Sequence, residues 1–154
     1  MEQQTNALLQ VSEIQLVYRP KVKASERVRV IEAKSAYEVL LKSWDRDTIE
    51  IVEQFKIMLL NKSNKVLGIS LISVGGISSA TVDMKVLFGI ALKSGASQMI
   101  LAHNHPSGYI MPSDADKRLT RKIVEASRYL DIEVLDHIIV TPEKFYSFAD
   151  MGLI

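Results

Sequence analysis

The 154-residue chain is long enough to bury one hydrophobic core, with 47% apolar residues, 24% charged residues and a formal net charge of +1. The near-neutral charge argues against a domain that binds nucleic acid mainly through phosphate contacts, and no apolar stretch is long enough to span a membrane. The absence of cysteine excludes disulfides and thiolate metal sites. The N-terminus has no signal-like pattern, and the absence of cysteine fits a reducing compartment, so we expect a cytoplasmic protein.

The first predicted elements are short. Alternating apolar residues within 11–17 indicate a short strand or an extended arm, and residues 28–31 predict another short strand. Ser35 followed three residues later by Glu38 has the spacing of a helix capping box. We therefore expect a helix from Ser35 to about Trp44.

Two strands and an amphipathic helix are predicted next. Residues 50–60 and 66–72 predict strands joined by a polar turn, and the glycine pair at 75–76 ends the second strand. Apolar residues then recur at helical spacing, which indicates a helix with one buried face. That face comprises Met84, Leu87, Phe88, Ala91 and Leu92. Asp83 favours the start of this helix, and Gly95 suits the position just after its end.

The second half of the chain continues the alternation of strands and helices. Residues 99–102 form an unbroken apolar run, typical of a strand covered on both faces. A loop at 104–112 leads to a helix from Ser113 to about Leu130, and residues 132–140 predict a further strand. The helix's inner stripe is predicted to be Leu119, Ile123, Ala126 and Leu130. The tail should pack back on the core through Phe145, Tyr146 and Phe148. This order predicts an α/β or α+β fold with a mixed sheet between helices.

Two histidines and an aspartate form a candidate metal site. His103 and His105 stand at the end of the buried strand, where α/β proteins place ligands, and their shared parity directs both side chains the same way. Asp116 precedes Leu119 by three residues and Ile123 by seven, so it shares the apolar face of its helix. A carboxylate directed inward needs a partner, such as a cation. Two imidazoles and one carboxylate are the protein ligands of a catalytic zinc site.

The same residues also have simpler interpretations. One His-x-His pair is weak evidence, because two solvated or core histidines would look the same. Ser113 and Asp116 have the spacing of a helix capping box. Capping and metal binding are compatible, since Ser113 can cap the helix while Asp116 binds the ion.

A catalytic zinc site also needs a general base, and Glu53 is the best candidate. It shares the parity of the apolar residues Phe55, Ile57 and Leu59, so its carboxylate faces the core if the strand extends back to 53. Burial would raise its pKa towards neutrality, which suits a group that accepts and returns a proton. Glu50, of opposite parity, is the competitor, and a solvent-facing Glu53 is the alternative.

Two further polar residues lie in the last long strand. His137 shares the parity of Leu135 and Ile139, which favours a core histidine over a metal ligand. For Asp136, the sequence does not distinguish a position next to the metal ligands from one on the surface.

The pattern His103-x-His105-Pro106, six residues, then Ser113-x-x-Asp116, with an upstream glutamate, resembles the JAMM motif of MPN-domain metalloproteases. The segment Ile-Leu-Ala-His-Asn-His-Pro-Ser-Gly at 100–108 is similar to the RadC-like branch of bacterial proteins. The likeness covers about residues 30–154, which we take as the domain, and leaves residues 1–29 as an N-terminal arm.

The resemblance implies a deaminase-like MPN fold, with a mixed sheet sandwiched between helices. It implies one Zn²⁺ per chain, held by His103, His105 and Asp116. It implies Glu53 as general base, and Ser113 as a group that hydrogen-bonds the developing oxyanion or the bound water. The reaction would be metal-assisted hydrolysis of a peptide or isopeptide amide.

Departures from the family pattern bear on partners. Asn104 stands between the histidines where the eukaryotic deubiquitinating branch has a small hydroxyl residue, which argues against ubiquitin-like substrates. We expect a peptide or protein substrate and no membrane partner, and leave the oligomeric state open. The competing hypothesis is a DNA repair or recombination-associated binding protein with a structural or vestigial metal site. The near-neutral charge and the lack of room in residues 1–30 for a helix-hairpin-helix segment count against it.

Overall fold

Five strands and three α-helices make up the fold in the computed structural model, which describes residues 12, 14, 15, 17–75 and 82–154. The strands are β1 (Gln54–Leu60), β2 (Val66–Val74), β3 (Gln98–Asn104), β4 (Glu133–Val140) and β5 (Phe145–Ser147). The helices are α1 (Ala33–Lys42), α2 (Met84–Lys93) and α3 (Asp114–Arg128), and a short 3-10 turn covers Ala24–Glu26. Within the described part of the chain, no helix has the length and apolar character needed to cross a membrane.

The strands form one mixed sheet in the order β2-β1-β3-β4-β5. β3 lies in the middle and pairs antiparallel with β1 and parallel with β4, while the other neighbours are antiparallel. The parallel pair is connected through α3, as a crossover between parallel strands requires. This topology confirms the predicted mixed sheet of an α+β fold.

The two faces of the sheet carry separate cores. On one face the odd-numbered residues of β1, such as Phe55 and Ile57, pack with α2 and α3. On the other face Met58 and Leu60 pack with α1, whose buried residues include Leu40. β1 and β3 are therefore covered on both sides, which explains why their apolar residues run without alternation.

The start of α1 differs from the prediction. The helix begins at Ala33, two residues before the predicted cap, so the proposed Ser35–Glu38 capping box is wrong. The Ser35 hydroxyl instead accepts hydrogen bonds from the backbone N–H groups of Ile31 and Glu32, at 3.0 and 3.1 Å. A serine in the first turn thus reaches backwards to satisfy the N-terminal backbone, and sequence spacing alone does not distinguish the two arrangements.

The predicted short strands near the N-terminus do not form in the described residues. Only a single bridge joins Arg29 to Lys65 where residues 28–31 were predicted to form a strand. Of the stretch 11–17, positions 11, 13 and 16 lie outside the described residues, and the others belong to no strand. Gly75, with φ of +109°, follows β2 as predicted, and Gly76 lies outside the described residues.

The predicted helix ends are partly confirmed. The Asp83 carboxylate caps α2 by accepting from the N–H groups of Lys85 and Val86, and Gly95 adopts a φ of +68° after the helix. α3 ends at Arg128, so Leu130 lies beyond the helix and is exposed. Leu92 is exposed as well, although it lies within α2, so both residues were wrongly assigned to buried stripes.

The tail packs back on the sheet as predicted, and Asp136 holds it there. Tyr146 and Phe148 are buried. The Asp136 carboxylate accepts hydrogen bonds from the Ser147 hydroxyl at 2.6 Å and from the backbone N–H of Ala149 at 2.9 Å. It also accepts from the N–H of His137 at 2.7 Å. Asp136 is therefore a buried residue that ties β4 to the C-terminal segment.

Replacing Asp136 with alanine should lower the free energy of unfolding by about 3 kcal/mol, because buried donors lose their acceptor. Urea denaturation followed by circular dichroism measures this loss. Glu133→Ala, at the exposed start of β4, is the control and should change stability by less than about 0.5 kcal/mol. An equal effect of the two substitutions would contradict the assigned role of Asp136.

Candidate metal centre

The end of β3 supplies the two histidines of the site. His103 is the second-last residue of β3 and is fully buried, directly opposite Phe55 of β1. His105 continues the strand direction, since its backbone N–H donates to the carbonyl of Val140 at 3.3 Å. Because extended backbone alternates its side chains, both imidazoles project to the same face, as predicted.

The first turn of α3 supplies the carboxylate. Ser113 caps the helix by accepting from the N–H of Asp116 at 3.1 Å. In return, the Asp116 Oδ2 accepts from the N–H of Ser113 at 2.8 Å. The predicted capping box therefore exists, yet Asp116 is only 2% exposed and also faces the histidines. Asp116 therefore both completes the capping box of α3 and lies at the candidate metal site.

The three side chains converge at a spacing that suits a metal ion. The two Nε2 atoms of His103 and His105 lie 2.9 Å apart. The Nε2 of His103 lies 3.5 Å from Asp116 Oδ1, and that of His105 lies 3.5 Å from Asp116 Oδ2. Ligands about 2.1 Å from a tetrahedral zinc would be separated by about 3.4 Å, which falls between the observed values. The donor set therefore fits a small cation such as zinc.

The other nitrogen of each imidazole is held by the protein. His105 Nδ1 donates to the backbone carbonyl of Tyr109. His103 Nδ1 lies 2.7 Å from the Nε2 of His137, which confirms that His137 is a buried core histidine with partners. Since a carbonyl can only accept, the neutral His105 ring has its free lone pair on Nε2.

Burial and the shared carboxylate set the protonation of the site. Burial lowers the pKa of His103. Burial would lower the pKa of His105 too, but hydrogen bonding with Asp116 and Tyr109 outweighs it and raises that pKa. For Asp116, burial acts to raise the pKa, but the two neighbouring histidines and the backbone N–H of Ser113 outweigh it and hold the pKa far below its usual range. The carboxylate is therefore ionised at neutral pH and able to bind a cation.

Glu53 lies nearer to this cluster than its competitor. It is half-buried and directly precedes β1, and its negative charge acts to raise the pKa of both His103 and His105. Glu50 is exposed in the preceding turn. The strand begins at Gln54, so Glu53 is the residue just before it. Its carbonyl accepts from the N–H of Gly75 at 2.8 Å, which ties it to the end of β2.

Asn104, between the histidines, holds the backbone on both sides of Glu53. Its side chain points away from them and is fully buried. The amide Oδ1 accepts from the N–H of Gln54 at 2.7 Å, and Nδ2 donates to the carbonyls of Val52 at 2.9 Å and Ile49 at 2.7 Å. Parity at the end of a buried strand could have identified a buried amide that needs such partners.

The fold and the site together define an α+β domain of the JAB/MPN class. The mixed sheet lies between helices, the central strand ends in His-x-His, and the next helix contributes an acid from its first turn. A family model described as a RadC-like JAB domain matches residues 30–153. The chain therefore belongs to the RadC-like JAB domain family, which confirms the resemblance stated above.

Curated relatives agree with this assignment. A UPF0758 protein of Flavobacterium johnsoniae is 48% identical over 101 residues, which are 66% of this chain and 44% of the relative. A UPF0758 protein of Symbiobacterium thermophilum is 41% identical over 103 residues, 67% of this chain and 44% of the relative. The UPF0758 protein YfjY of Escherichia coli is 42% identical over 102 residues, 66% of this chain and 64% of the relative. The matched region thus covers less than two thirds of each relative, and their names state no activity.

Asn104→Ala should loosen the backbone around Glu53 and lower the free energy of unfolding by about 2–3 kcal/mol, since buried backbone groups lose their partners. Hydrogen exchange of the Gln54 amide, read by NMR, should speed up at least tenfold. Asn61→Ala removes a side chain that likewise accepts from two backbone N–H groups, in the turn between β1 and β2. That control should leave Gln54 exchange unchanged, and equal acceleration in both variants would contradict the local role of Asn104.

Proposed function

We propose that this domain is a zinc-dependent hydrolase that cleaves an amide bond, of the peptide or isopeptide type, in a peptide or protein substrate. The observation that carries the proposal is the convergence of His103, His105 and Asp116 at metal-binding distances. Glu53 lies close enough for its charge to act on both rings. Membership in the RadC-like JAB domain family supports the same reaction class.

The ligand set favours a catalytic over a structural ion. Structural zinc sites are usually closed by four protein ligands, whereas catalytic sites use three and keep one position for water or substrate. Within the described residues, the cluster of potential metal ligands has three members. His105 is partly exposed while His103 is buried, so the site is reached from the side of His105.

Each residue then has a distinct task. A zinc ion held by His103, His105 and Asp116 would supply Lewis acidity, lowering the pKa of water and polarising the scissile carbonyl. We assign Glu53 to take the proton from the attacking water and to return it to the leaving amine. Asn104 fixes the backbone next to Glu53 and so limits where its carboxylate lies.

Ser113 and the loop after His105 complete the proposed site. The Ser113 hydroxyl caps α3 as an acceptor, and its own proton has no acceptor in the described part of the chain. We propose that this O–H donates to the oxyanion that develops on the substrate carbonyl. The side chains of Tyr109 and Met111 are 68% and 48% exposed in the loop that follows His105, an apolar surface suited to peptide side chains.

Metal content tests the ligand assignment. The wild-type protein, purified without chelators, should contain one zinc per chain by plasma mass spectrometry. His103→Ala and Asp116→Ala should lose it, because two remaining ligands cannot hold the ion. Glu50→Ala should keep a full equivalent. A wild-type preparation that takes up no zinc at neutral pH would contradict the proposal.

Glu53→Gln separates catalysis from metal binding. The variant should keep its zinc but lose at least 100-fold of the hydrolytic rate, because the amide cannot accept a proton. The assay incubates the protein with a proteome-derived peptide mixture, including lysine-linked isopeptides, and identifies newly formed amines by mass spectrometry. Glu50→Gln is the matched control and should retain the wild-type rate. No zinc-dependent cleavage by the wild type, or full activity of Glu53→Gln, would overturn the assignment.

A further inference from the structure

We propose that Thr120 and His137 form a directed hydrogen-bond chain that holds His103 in the tautomer able to bind a metal. The inference rests on the proposed metal site and assigns two positioning residues to it. Neither residue was predicted to have a functional role, and neither contacts the metal position directly.

The direction of the chain begins at Thr120 on α3. Its Oγ1 lies 2.7 Å from the backbone carbonyl of Asp116 and 2.6 Å from Nδ1 of His137. A carbonyl only accepts, so the single hydroxyl proton is committed to Asp116. The Thr120 oxygen must then accept from His137, which places the proton of that ring on Nδ1.

The direction passes through His137 to His103. A neutral imidazole with its proton on Nδ1 presents a lone pair at Nε2. His137 Nε2 lies 2.7 Å from His103 Nδ1, so the latter must be the donor. His103 then has its proton on Nδ1 and its lone pair on Nε2, the atom that faces His105 and Asp116.

The described residues packed around the His137 ring offer no alternative hydrogen-bond partner to Thr120 and His103. The ring is fully buried, stacks on Phe148 with centroids 4.6 Å apart, and meets the edge of Phe55 at 5.6 Å. Neither aromatic ring offers a conventional hydrogen-bond acceptor. The two ring nitrogens of His137 therefore have Thr120 and His103 as their hydrogen-bond partners.

The reverse direction would block the site. If Thr120 donated to His137, the proton would move to His137 Nε2, and His103 would accept at Nδ1. The His103 proton would then lie on Nε2, the atom that is 2.9 Å from Nε2 of His105, and would occupy the candidate metal position. A metal would have to displace it. The Thr120 hydroxyl, which is two hydrogen bonds from His103, thus determines which nitrogen of His103 has a lone pair for the metal.

The direct test reads the tautomer in the metal-free protein. The chain contains three histidines, so long-range ¹H–¹⁵N correlation spectra of histidine-labelled protein are simple to assign. Wild-type His103 and His137 should both show the Nδ1–H pattern. Thr120→Val, which keeps the shape but removes the hydroxyl, should populate the Nε2–H form of His103. An Nε2–H pattern for His103 in the wild type would overturn the inference.

Zinc affinity, measured by competition with a chromophoric chelator, tests the consequence. Thr120→Val should bind zinc 10- to 100-fold more weakly, the usual effect of losing a partner of a metal-ligating histidine, and Thr120→Ser should restore most of it. Thr141→Val is the matched control, because its buried hydroxyl donates to Lys144 and contacts no histidine. That control should bind zinc like the wild type. Equal affinities of Thr120→Val and Thr141→Val would contradict the positioning role.

The two measurements also separate this inference from the proposed function. His137→Phe removes the hydrogen bond to His103 by a larger change. If His137→Phe does not fold, Thr120→Val still provides the test. If the wild type binds no zinc, the proposed function fails, whereas the tautomer assignment is still decided by the metal-free spectrum. If zinc binds and the tautomer does not depend on Thr120, the inference fails alone.

Discussion

The close approach of two imidazole nitrogens beside a buried carboxylate is the constraint on which the rest of the site depends. His103 Nε2 and His105 Nε2 lie 2.9 Å apart, and Asp116 is 2% exposed next to them. Lone pairs and a negative charge placed together in a region of low water access are costly unless a cation compensates them. The surrounding structure is best understood as the support that holds this unfavourable arrangement in place.

That support comes from the position of β3 in the middle of the sheet. β3 is paired on both edges and covered on both faces, so the strand end that carries the site has little freedom. Successive residues there point to opposite faces of the sheet. His103 faces the candidate metal site, while Asn104 faces the side covered by α1 and binds the backbone next to Glu53. Two neighbouring residues of one strand thereby position a candidate ligand, His103, and the backbone next to the proposed base, Glu53.

Strand parity and helix phase were sufficient to predict that His103, His105 and Asp116 point towards one another, because both periods are local properties of the chain. They placed His103 and His105 on one face and turned Asp116 inward. The coupling of Thr120 to His137 was not predictable, since it depends on how α3 packs over β4 and on the parallel register of β3 with β4. The error at Ser35 has a local cause: its hydroxyl accepts from residues before it, so one serine suits two different helix starts.

Anomalous diffraction at the zinc absorption edge, from crystals of the zinc-loaded protein, would locate the ion and identify the atoms that bind it. We expect one strong peak between His103, His105 and Asp116, from an ion bonded to Nε2 of each histidine and to a carboxylate oxygen, with a fourth position open to solvent. A peak elsewhere, or coordination through Nδ1 of either histidine, would contradict this expectation.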